Sequence, residues 1–470
     1  MKTKLFPVFC IAVLLLTAGC KDDKHETLLS VVTDGLLFEN DASPVRENTF
    51  SIQSNTAWTI SPMADWITLD IQEGQGDQTI TVTVSVNPDV KRDAKILIEA
   101  VDDREKTASL TVIQNESGLV KLIPDPEFRA YCLENFDTDD SKTLSEEEFL
   151  AVTSITFPQK AQSLKGIELF PSLEAFNCSL SAFTELNLSE NKQLKELYCG
   201  WSKLTKLDVS ENPLLEILQC HENALTELDL SQNTALKRLY CYKNKLTAMN
   251  LSRNTELEYL SAADNLLETL DIGKGTAMKE LYCDSNQITE LDVSGCKDLT
   301  TLYCANNRLT ELDLSQNPAL EELYAAYNQL TTLDLSNNTV LTLINSEYNP
   351  DLTSLVSSPS PKLSFLNCRG GKLTTVDVSQ NPALKIFDCC LNALSALDLS
   401  RNTRLETLYC FENNLQVLDI SLNDKLRTLW CNDNPDLNMV FVWKTFDTEK
   451  PENTMGDLAY DTGTKFIVKE

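Results

Sequence analysis

Leucine and cysteine recur along most of the chain at spacings of three and two residues, and the whole pattern repeats every 21 residues. From about residue 173 onward one unit reads L-x-x-L-x-C-x-x-N-x-L-T-x-L-D-L-S-x-N-x-x, and it recurs about thirteen times. A period of this length indicates a solenoid, because no single unit can bury its apolar face without a neighbouring coil. The sequence therefore predicts a β solenoid over residues 161–440, with a short strand in each coil facing a continuous apolar column.

The sixth position of each unit is nearly always cysteine. The other three units have Ala262, Ala325 and Ser346 there, which are also small. The ten ladder cysteines are Cys178, Cys199, Cys220, Cys241, Cys283, Cys304, Cys368, Cys389, Cys410 and Cys431. The interval from Ser346 to Cys368 is 22 residues, which indicates one inserted residue near 359–361.

Side chains in such a ladder point the same way and lie about 4.8 Å apart. Zinc needs four ligands that converge on one point, and a straight line of thiols does not supply them. A disulfide needs opposed Cβ vectors, which also conflicts with parallel stacking. The ladder is therefore interpreted as reduced thiols that act as small apolar side chains, with scattered disulfides as the alternative.

The position before each ladder residue points outward from its strand and is aromatic in seven of thirteen units. These residues are Tyr198, Tyr240, Tyr282, Tyr303, Tyr324, Tyr409 and Trp430. Such rings offer a large contact area at a low entropic cost, which favours a ligand-binding face. The alternative is that tyrosine suits an exposed strand and stacks on its own neighbours.

Two further ladders of polar residues are predicted to be structural. Asparagine at the ninth position is expected to satisfy backbone groups of adjacent coils, as at Asn223, Asn244, Asn265, Asn286, Asn307 and Asn328. Aspartate recurs in the second half of the unit, at Asp208, Asp229, Asp271, Asp292, Asp313, Asp334, Asp377, Asp398 and Asp419. Turn capping is favoured for these carboxylates over a cation-binding strip, because neighbouring donors can satisfy them.

Residues 28–116 instead alternate with the two-residue period of β-strands. The runs ITVTVSV at 80–86 and KILI at 95–98 are rich in β-branched residues, and turn residues separate them. A small antiparallel, Ig-like β-sandwich is the expected outcome.

Five residues of this segment resemble the BACON domain, namely Trp58, Trp66, Asn87, Arg92 and Gln114. The resemblance covers nearly the whole segment and implies an N-terminal domain that binds carbohydrate or mucin. Both tryptophans are open to two interpretations: they pack in the sandwich, or they form a platform for a sugar ring.

Residues 120–160 are predicted to form a small helical cap. The run PDPEFRAYCLENF at 124–136 is typical of a helix with proline near its start. A second helix is expected to begin after Ser145, with Glu148 at the capping-box position.

The segment between the two predicted helices resembles the twelve-residue EF-hand loop. Asp137, Asp139, Ser141, Thr143 and Glu148 fall at its ligand positions, Thr143 through its backbone carbonyl. The resemblance implies a structural calcium ion, because hard cations prefer oxygen ligands at this spacing. The sixth position departs from the EF-hand pattern, because Lys142 stands where glycine is usual. The alternative is therefore a helical cap that keeps the shape of the loop but does not bind the ion.

The N-terminus has the features of an export signal. Lys2 and Lys4 precede an apolar run from 5 to 16, which is too short to span a bilayer, and LTAGC follows at 16–20. This resembles the lipobox of bacterial lipoproteins, which implies a signal peptide at 1–19, acylation of Cys20 and a tether at 20–27. The sequence KDD at 21–23 is similar to the signal of Bacteroidetes surface lipoproteins, which implies display on the outer membrane with the lipid as the only membrane contact.

Charge and composition exclude several classes of function. The formal net charge of −30 opposes binding to nucleic acid or to anionic membranes. The two histidines, His25 and His221, are too few for multi-histidine metal sites, and the chain has no glycine-rich phosphate loop. The protein is therefore predicted not to be an enzyme, and calcium is the only cofactor proposed.

The repeats resemble the cysteine-ladder leucine-rich repeats of the internalin family of bacterial adhesins, over about residues 120–440. That resemblance implies binding of an extracellular ligand. The predicted protein is mainly β: a BACON-like sandwich, a helical cap, the solenoid, and a C-terminal cap at 441–470. The leading hypothesis is a monomeric surface adhesin that binds host protein or glycan. The alternatives are a structural spacer and an accessory glycan-binding component of a polysaccharide uptake system.

Overall fold

The computed structural model describes residues 26–33, 35–38, 46–87, 91–115, 118–274 and 276–469. The predicted signal peptide at 1–19 and the predicted lipidation site Cys20 lie outside these residues. Contacts divide the chain into two units, 1–118 and 119–470. Among the helices of the described ranges, none has the length and apolar character that crossing a bilayer requires.

The first unit is a β-sandwich with one sheet in the order β1-β3-β7-β5 and a second in the order β2-β9-β8-β4-β6. Its strands are β1 (Leu29–Val31), β2 (Gly35–Phe38), β3 (Arg46–Ser54), β4 (Ala57–Pro62), β5 (Ile67–Leu69), β6 (Glu73–Gln75), β7 (Gln78–Val84), β8 (Arg92–Ala100) and β9 (Thr107–Gln114). The strand pairs are antiparallel except β2 with β9, which is parallel. The antiparallel sandwich expected from the sequence thus includes one parallel pair at this edge, because the alternating pattern fixes which face is buried but not the direction of the partner strand.

Trp58 lies at the centre of the sandwich core. Its side chain is fully buried, and its indole N–H donates to the carbonyl of Gly76 at 3.0 Å. Gly74 leaves the space for the ring, since a Cβ there would lie 2.4 Å from the ring atom Cζ2. Trp66 is only partly buried, and the guanidinium of Arg92 lies 4.5 Å from its ring centroid. Trp58 is therefore a packing residue and cannot serve as a sugar platform.

The second unit begins with three short helices, α1 (Gly118–Leu122), α2 (Pro126–Phe136) and α3 (Glu146–Ala151). Asp125 caps α2 by accepting the amides of residues 127 and 128, both at 3.0 Å. Ser145 and Glu148 form the expected capping box: the hydroxyl of Ser145 accepts the amide of Glu148 at 3.2 Å, and the carboxylate of Glu148 accepts the amide of Ser145 at 2.9 Å. Phe128 packs against Phe157 and so joins the helices to the apolar core of the repeats.

The repeats build a parallel sheet of fifteen strands within the described residues, and shorter sheets follow the second half of the unit. The strands are β10 (Ser154–Thr156), β11 (Ala175–Asn177), β12 (Glu196–Tyr198), β13 (Ile217–Gln219), β14 (Arg238–Tyr240), β15 (Ala248–Asn250), β16 (Tyr259–Ser261), β17 (Thr269–Asp271), β18 (Glu280–Tyr282), β19 (Thr301–Tyr303), β20 (Glu322–Tyr324), β21 (Thr332–Asp334), β22 (Leu343–Asn345), β23 (Ser354–Val356), β24 (Phe365–Asn367), β25 (Ile386–Asp388), β26 (Thr407–Tyr409), β27 (Val417–Asp419), β28 (Thr428–Trp430), β29 (Met439–Val442), β30 (Asp457–Ala459) and β31 (Lys465–Val468). Each residue of the long sheet pairs with its equivalent in the next coil, so Leu281 lies beside Leu302 and Leu302 beside Leu323. The predicted fold class, mainly β with a leucine-rich-repeat solenoid, is confirmed. The segment assigned to a C-terminal cap contributes β30 and β31, which extend the sheets by one further strand each.

The ten ladder cysteines are buried between the coils, and each is a free thiol. Ala262, Ala325 and Ser346 occupy the same buried line. Burial raises the pKa of the Cys220 thiol to about 12, because the thiolate would lose its hydration there. The ladder side chains thus fill a narrow core whose width the leucines on either side set.

A thiol titration tests the ladder directly. Ellman's reagent added to the unreduced protein should react with all thirteen described cysteines after denaturation, and with almost none of them in the folded state. Burial and the raised pKa values both slow the reaction, because the thiolate is the reactive species. A count near zero after denaturation would show that the ladder is oxidised.

Two asparagine ladders connect each coil to the one before it, and they do so differently. In the first ladder Asn328 donates to the carbonyl of Cys304 at 3.0 Å, and its carbonyl oxygen accepts the amide of Leu309 at 3.0 Å. In the second ladder Asn338 donates to the carbonyls of Leu314 and Asn317 at 3.0 and 2.9 Å, and its own oxygen has no partner. Both ladders satisfy buried backbone carbonyls at the turns, which is the structural role that the sequence predicts for the first.

The residue before each asparagine of the first ladder has a positive φ, from 50° at Tyr348 to 56° at Ser285. The equivalent residues Leu180, Trp201 and Gly370 also have a positive φ, although serine or glycine follows them. Among the described coils only Gly370 is glycine here, so the others accept an L-residue in the left-handed region. Where the asparagine is present, its hydrogen bonds hold the turn and so support this backbone conformation.

Candidate functional site

The seven predicted ring residues lie on one side of the fifteen-stranded sheet, and each is partly buried. This side of the sheet, occupied by the outward residues of its strands, is called the tyrosine face. Tyr282, Tyr303 and Tyr324 follow one another on adjacent strands, with ring centroids 4.9 and 4.1 Å apart. Tyr409 and Trp430 form a separate pair at 5.0 Å. Tyr198 is set apart from the other rings because the next strand carries Gln219.

Tyr259 belongs to the tyrosine face although the repeat pattern does not predict it. It lies at the first strand position rather than the third, where Arg238 and Glu280 are its partners in register. Its ring nevertheless lies 4.7 Å from that of Tyr240 and 5.6 Å from that of Tyr282. Ser261 leaves the third position short, so the Tyr259 ring fills the space and completes a ladder of five rings.

Glutamates on the same strands hold several of the tyrosine hydroxyls. Tyr198 donates to Glu196 at 2.8 Å, and Tyr282 donates to Glu280 at 3.0 Å. Burial, followed by the hydrogen bond to Glu196, raises the pKa of the Tyr198 hydroxyl to about 12. These hydroxyls therefore remain protonated at physiological pH, and their rings have fixed orientations before any ligand arrives.

The aspartate ladder of the second half-repeat caps turns. The Oδ1 atoms of Asp292 and Asp313 each accept the amide of the serine two residues later at 2.9 Å, and the same bond recurs along the ladder. These bonds lower the pKa of Asp313, the backbone amide of Ser315 contributing most. The carboxylates thus have structural partners, as expected for capping.

The EF-hand-like loop brings its predicted ligands together. Carboxylate oxygens of Asp137, Asp139 and Glu148 lie within 4.8 Å of one another. The Ser141 hydroxyl lies 3.5 Å from the Asp137 carboxylate and 3.4 Å from the Thr143 carbonyl. Three of the five predicted ligands thus converge, the Ser141 hydroxyl lies between the Asp137 carboxylate and the Thr143 carbonyl, and oxygen atoms are the donors that calcium prefers.

Two features of the loop decide how well it fits a cation. Lys142 adopts a φ of 63°, so the sixth position makes the left-handed turn without glycine. The Glu148 carboxylate is already held by the Ser145 amide at 2.9 Å and the Thr138 amide at 2.6 Å. These bonds, led by that to Ser145, lower the pKa of Glu148 to about 2, so the carboxylate is charged and pre-positioned at neutral pH.

Comparison with known proteins identifies the family to which the repeats belong. The functional domain of InlJ from Listeria monocytogenes, whose structure includes a cysteine ladder, is 30% identical to this chain, with a TM-score of 0.50. The match covers 70% of this chain and 77% of that domain. The chain belongs to the internalin-type leucine-rich-repeat proteins with a cysteine ladder.

Two family models match parts of this internalin-type chain. The model "Leucine Rich repeats (2 copies)" matches residues 276–317 and 297–336. The BACON model, described as "Putative binding domain, N-terminal", matches residues 56–115. The BACON resemblance of the first unit is therefore confirmed. Both families are generally non-enzymatic binding domains.

Other solved structures are more distant. The leucine-rich effector YopM from Yersinia pestis is 21% identical over 68% of this chain and 86% of that one, with a TM-score of 0.40. A leucine-rich-repeat protein from Bacteroides thetaiotaomicron is 15% identical over 73% of this chain and 56% of that one, with a TM-score of 0.41. No curated protein matches the chain.

Proposed function

We propose that this protein is a surface lipoprotein that binds an extracellular protein or glycan through the tyrosine face. The solenoid fold is typical of protein-binding and adhesin-like proteins. The observation that carries the proposal is the ladder of five tyrosine rings, which offers a large, pre-oriented contact surface on one side of the sheet. Acylation of Cys20 would hold the protein at the outer membrane, with the lipid as its only membrane contact.

The pre-orientation of the rings distinguishes this surface from an ordinary solvated strand face. A tyrosine that is already packed on its neighbours and bonded to glutamate loses little side-chain entropy when a ligand binds. Such residues are common as binding hot spots. A structural spacer would not need rings in fixed orientations on one side of its sheet only.

The triple variant Y282S/Y303S/Y324S tests the proposal. It should lose at least ten-fold in binding to host-cell surfaces or to an immobilised glycan array, because the contact area of the central rings is removed. The matched control E268S/E290S/E311S changes three exposed residues of the second half-repeat and should bind as the wild type does. Equal binding of the triple variant and the wild type would favour the spacer. Protease shaving of intact cells, compared with a C20S variant, tests surface display separately.

Calcium at the EF-hand-like loop is a second part of the proposal. Asp137, Asp139 and Glu148 would supply carboxylates, Ser141 its hydroxyl and Thr143 its backbone carbonyl. The ion would hold the loop between α2 and α3 and so stabilise the cap over the first coils.

Calorimetric titration with calcium should show one site in the wild type and none in D137N/E148Q. The control variant E134Q, an exposed glutamate on α2, should titrate like the wild type. Thermal unfolding of the wild type should shift to a higher temperature with calcium, since a ligand that binds only the folded state stabilises it. An unchanged titration in D137N/E148Q would remove the site.

A further inference from the structure

The tyrosine ladder is interrupted on three consecutive strands. Tyr324 pairs in register with Asn345, Asn345 with Asn367, and Asn367 with Asp388, before the next ring at Tyr409. These three outward polar residues, together with Glu347 and Arg369 at their C-terminal side, are called the polar gap. The gap separates the five-ring ladder from the pair formed by Tyr409 and Trp430.

Ring spacing makes the gap different from the ladder itself. A planar ligand ring between two tyrosines needs about 7–8 Å, since nonbonded carbon atoms approach to about 3.5–4.0 Å on each side. Neighbouring ladder centroids are 4.1–5.6 Å apart, so no ligand ring fits between them. Tyr324 and Tyr409 lie four strands apart, roughly 19 Å at about 4.8 Å per strand. The space between the bordering strands is therefore wide enough to admit a sugar ring.

Arg369 is held at the edge of the gap by two aromatic rings. Its guanidinium carbon lies 5.6 Å from the centroid of Tyr348 and 5.1 Å from that of Phe411. The side chain can reach Phe411 because the equivalent residue of the intervening coil, Cys390, is short and fully buried. Gly370 supports the arrangement, since a Cβ there would lie 3.0 Å from the Tyr348 ring. The two rings thus position the guanidinium, which forms no ion pair within 4 Å among the residues that the structure describes.

The cluster has buried donors without a protein partner. The Nε atom of Arg369 is buried and makes no hydrogen bond within the described residues. The same holds for the indole nitrogen of Trp430, which packs 6.1 Å from Phe411 in the same cluster. A buried donor without an acceptor costs free energy. A ligand oxygen reaches these two atoms only if neighbouring side chains move, so the donors that the gap offers directly are the other guanidinium nitrogens of the partly exposed Arg369.

The gap also supplies acceptors. The Asp388 Oδ1 atom accepts the amide of Cys390 at 3.1 Å, and Glu347 accepts the side-chain amide of Asn367 at 3.0 Å. Each carboxylate keeps lone pairs for further donors. With one cation and two carboxylates, the gap has a net charge of about −1, which opposes an anionic ligand, and it suits a ligand that both donates and accepts hydrogen bonds.

We infer that the polar gap is the subsite that recognises a neutral, hydroxyl-rich glycan, whose sugar faces stack on the bordering rings and whose hydroxyls pair with Arg369, Asp388 and Glu347. Hydroxyl groups donate and accept equally, as this mixed set of side chains requires. Polyanionic glycans are opposed by the two carboxylates and by the net charge of −30. This inference rests on the proposed function and names the ligand class of the same face.

The double variant R369M/D388N, made in the full chain, tests whether the polar gap recognises a neutral glycan. Methionine keeps an apolar stem against the two rings, and asparagine keeps the turn bond, as Asn345 and Asn367 do in the preceding coils. The matched control R401M/D424N makes the same exchanges at exposed residues of the second half-repeat. Binding is measured by tryptophan fluorescence titration with neutral β-glucan, mannan and xylan, and with polygalacturonate and chondroitin sulfate as anionic comparisons.

The expected result is that the wild type and R401M/D424N bind at least one neutral polysaccharide, and that R369M/D388N binds it at least ten-fold more weakly. If Y282S/Y303S/Y324S loses binding while R369M/D388N retains it, the gap is not the subsite and the proposed function stands. If the wild type binds only anionic glycans, or only protein, the inference about the polar gap is overturned, whereas the proposed function stands. A wild type that binds none of these polysaccharides and no host cell overturns the inference and the proposed function together.

Discussion

Replacing Asn338 by aspartate should strongly destabilise the solenoid. The Asn338 amide is fully buried and donates to the carbonyls of Leu314 and Asn317 at 3.0 and 2.9 Å. Aspartate removes both bonds and places a carboxylate among backbone carbonyls, with no donor for its oxygens. Two unpaired carbonyls cost about 1–3 kcal/mol each, and a buried charge costs more. N338D should therefore lower the free energy of unfolding by about 4 kcal/mol or more, and N338A by less.

The pH dependence of N338D follows from the same geometry. Burial without a donor raises the pKa of the new carboxyl above its unfolded value of about 3.9. The fold tolerates the protonated form of this carboxyl better than the charged form. The loss in free energy of unfolding relative to the wild type should therefore be smallest below about pH 4 and should grow as the pH rises through the folded pKa.

Urea unfolding followed by circular dichroism at pH 7 and pH 4 measures both effects. The control is N337D, the same exchange at the adjacent, exposed residue, which should unfold at nearly the wild-type urea concentration. Similar midpoints for N338D and N337D would contradict the assigned role of the second asparagine ladder.

Replacing Trp58 by alanine should unfold the β-sandwich and leave the solenoid folded. Loss of a fully buried tryptophan costs about 3–5 kcal/mol, a large part of the stability of a small domain. The sandwich core and the solenoid core share no residue in the described ranges, so the solenoid should keep its own transition. Calorimetry of the full chain should show the sandwich transition shifted to a lower temperature or lost, with the solenoid transition unchanged.

Trp66 provides the matched control for Trp58. It is partly buried at the edge of the sandwich core, and the guanidinium of Arg92 lies 4.5 Å from its ring centroid, a contact that contributes about 0.5–2 kcal/mol. W66A should therefore shift the sandwich transition much less than W58A does. If the two variants melt alike, Trp58 is not the central packing residue of this domain.

The repeat period allowed much of the site to be predicted, because it reports which residues share one line of the solenoid. Tyr282, Tyr303 and Tyr324 occupy the same position of successive units, so their adjacency follows from the spacing alone. The capping box of Ser145 and Glu148 is likewise local, and the sequence pattern describes it fully. The parallel pairing of β2 with β9 could not be predicted, since the direction of a distant partner strand leaves no trace in local alternation.

The sequence by itself determined the class of fold, the coil register and the residues that line the core, because a 21-residue period and a parallel sheet repeat the same geometry in every coil. Only the tertiary structure decided how side chains of different coils meet. Tyr259 joins the ladder from another strand position because Ser261 leaves room for its ring. Arg369 reaches Phe411 across an intervening coil because Cys390 is small. Such contacts depend on the sizes of side chains in neighbouring coils, and the consensus pattern of a single repeat does not predict them.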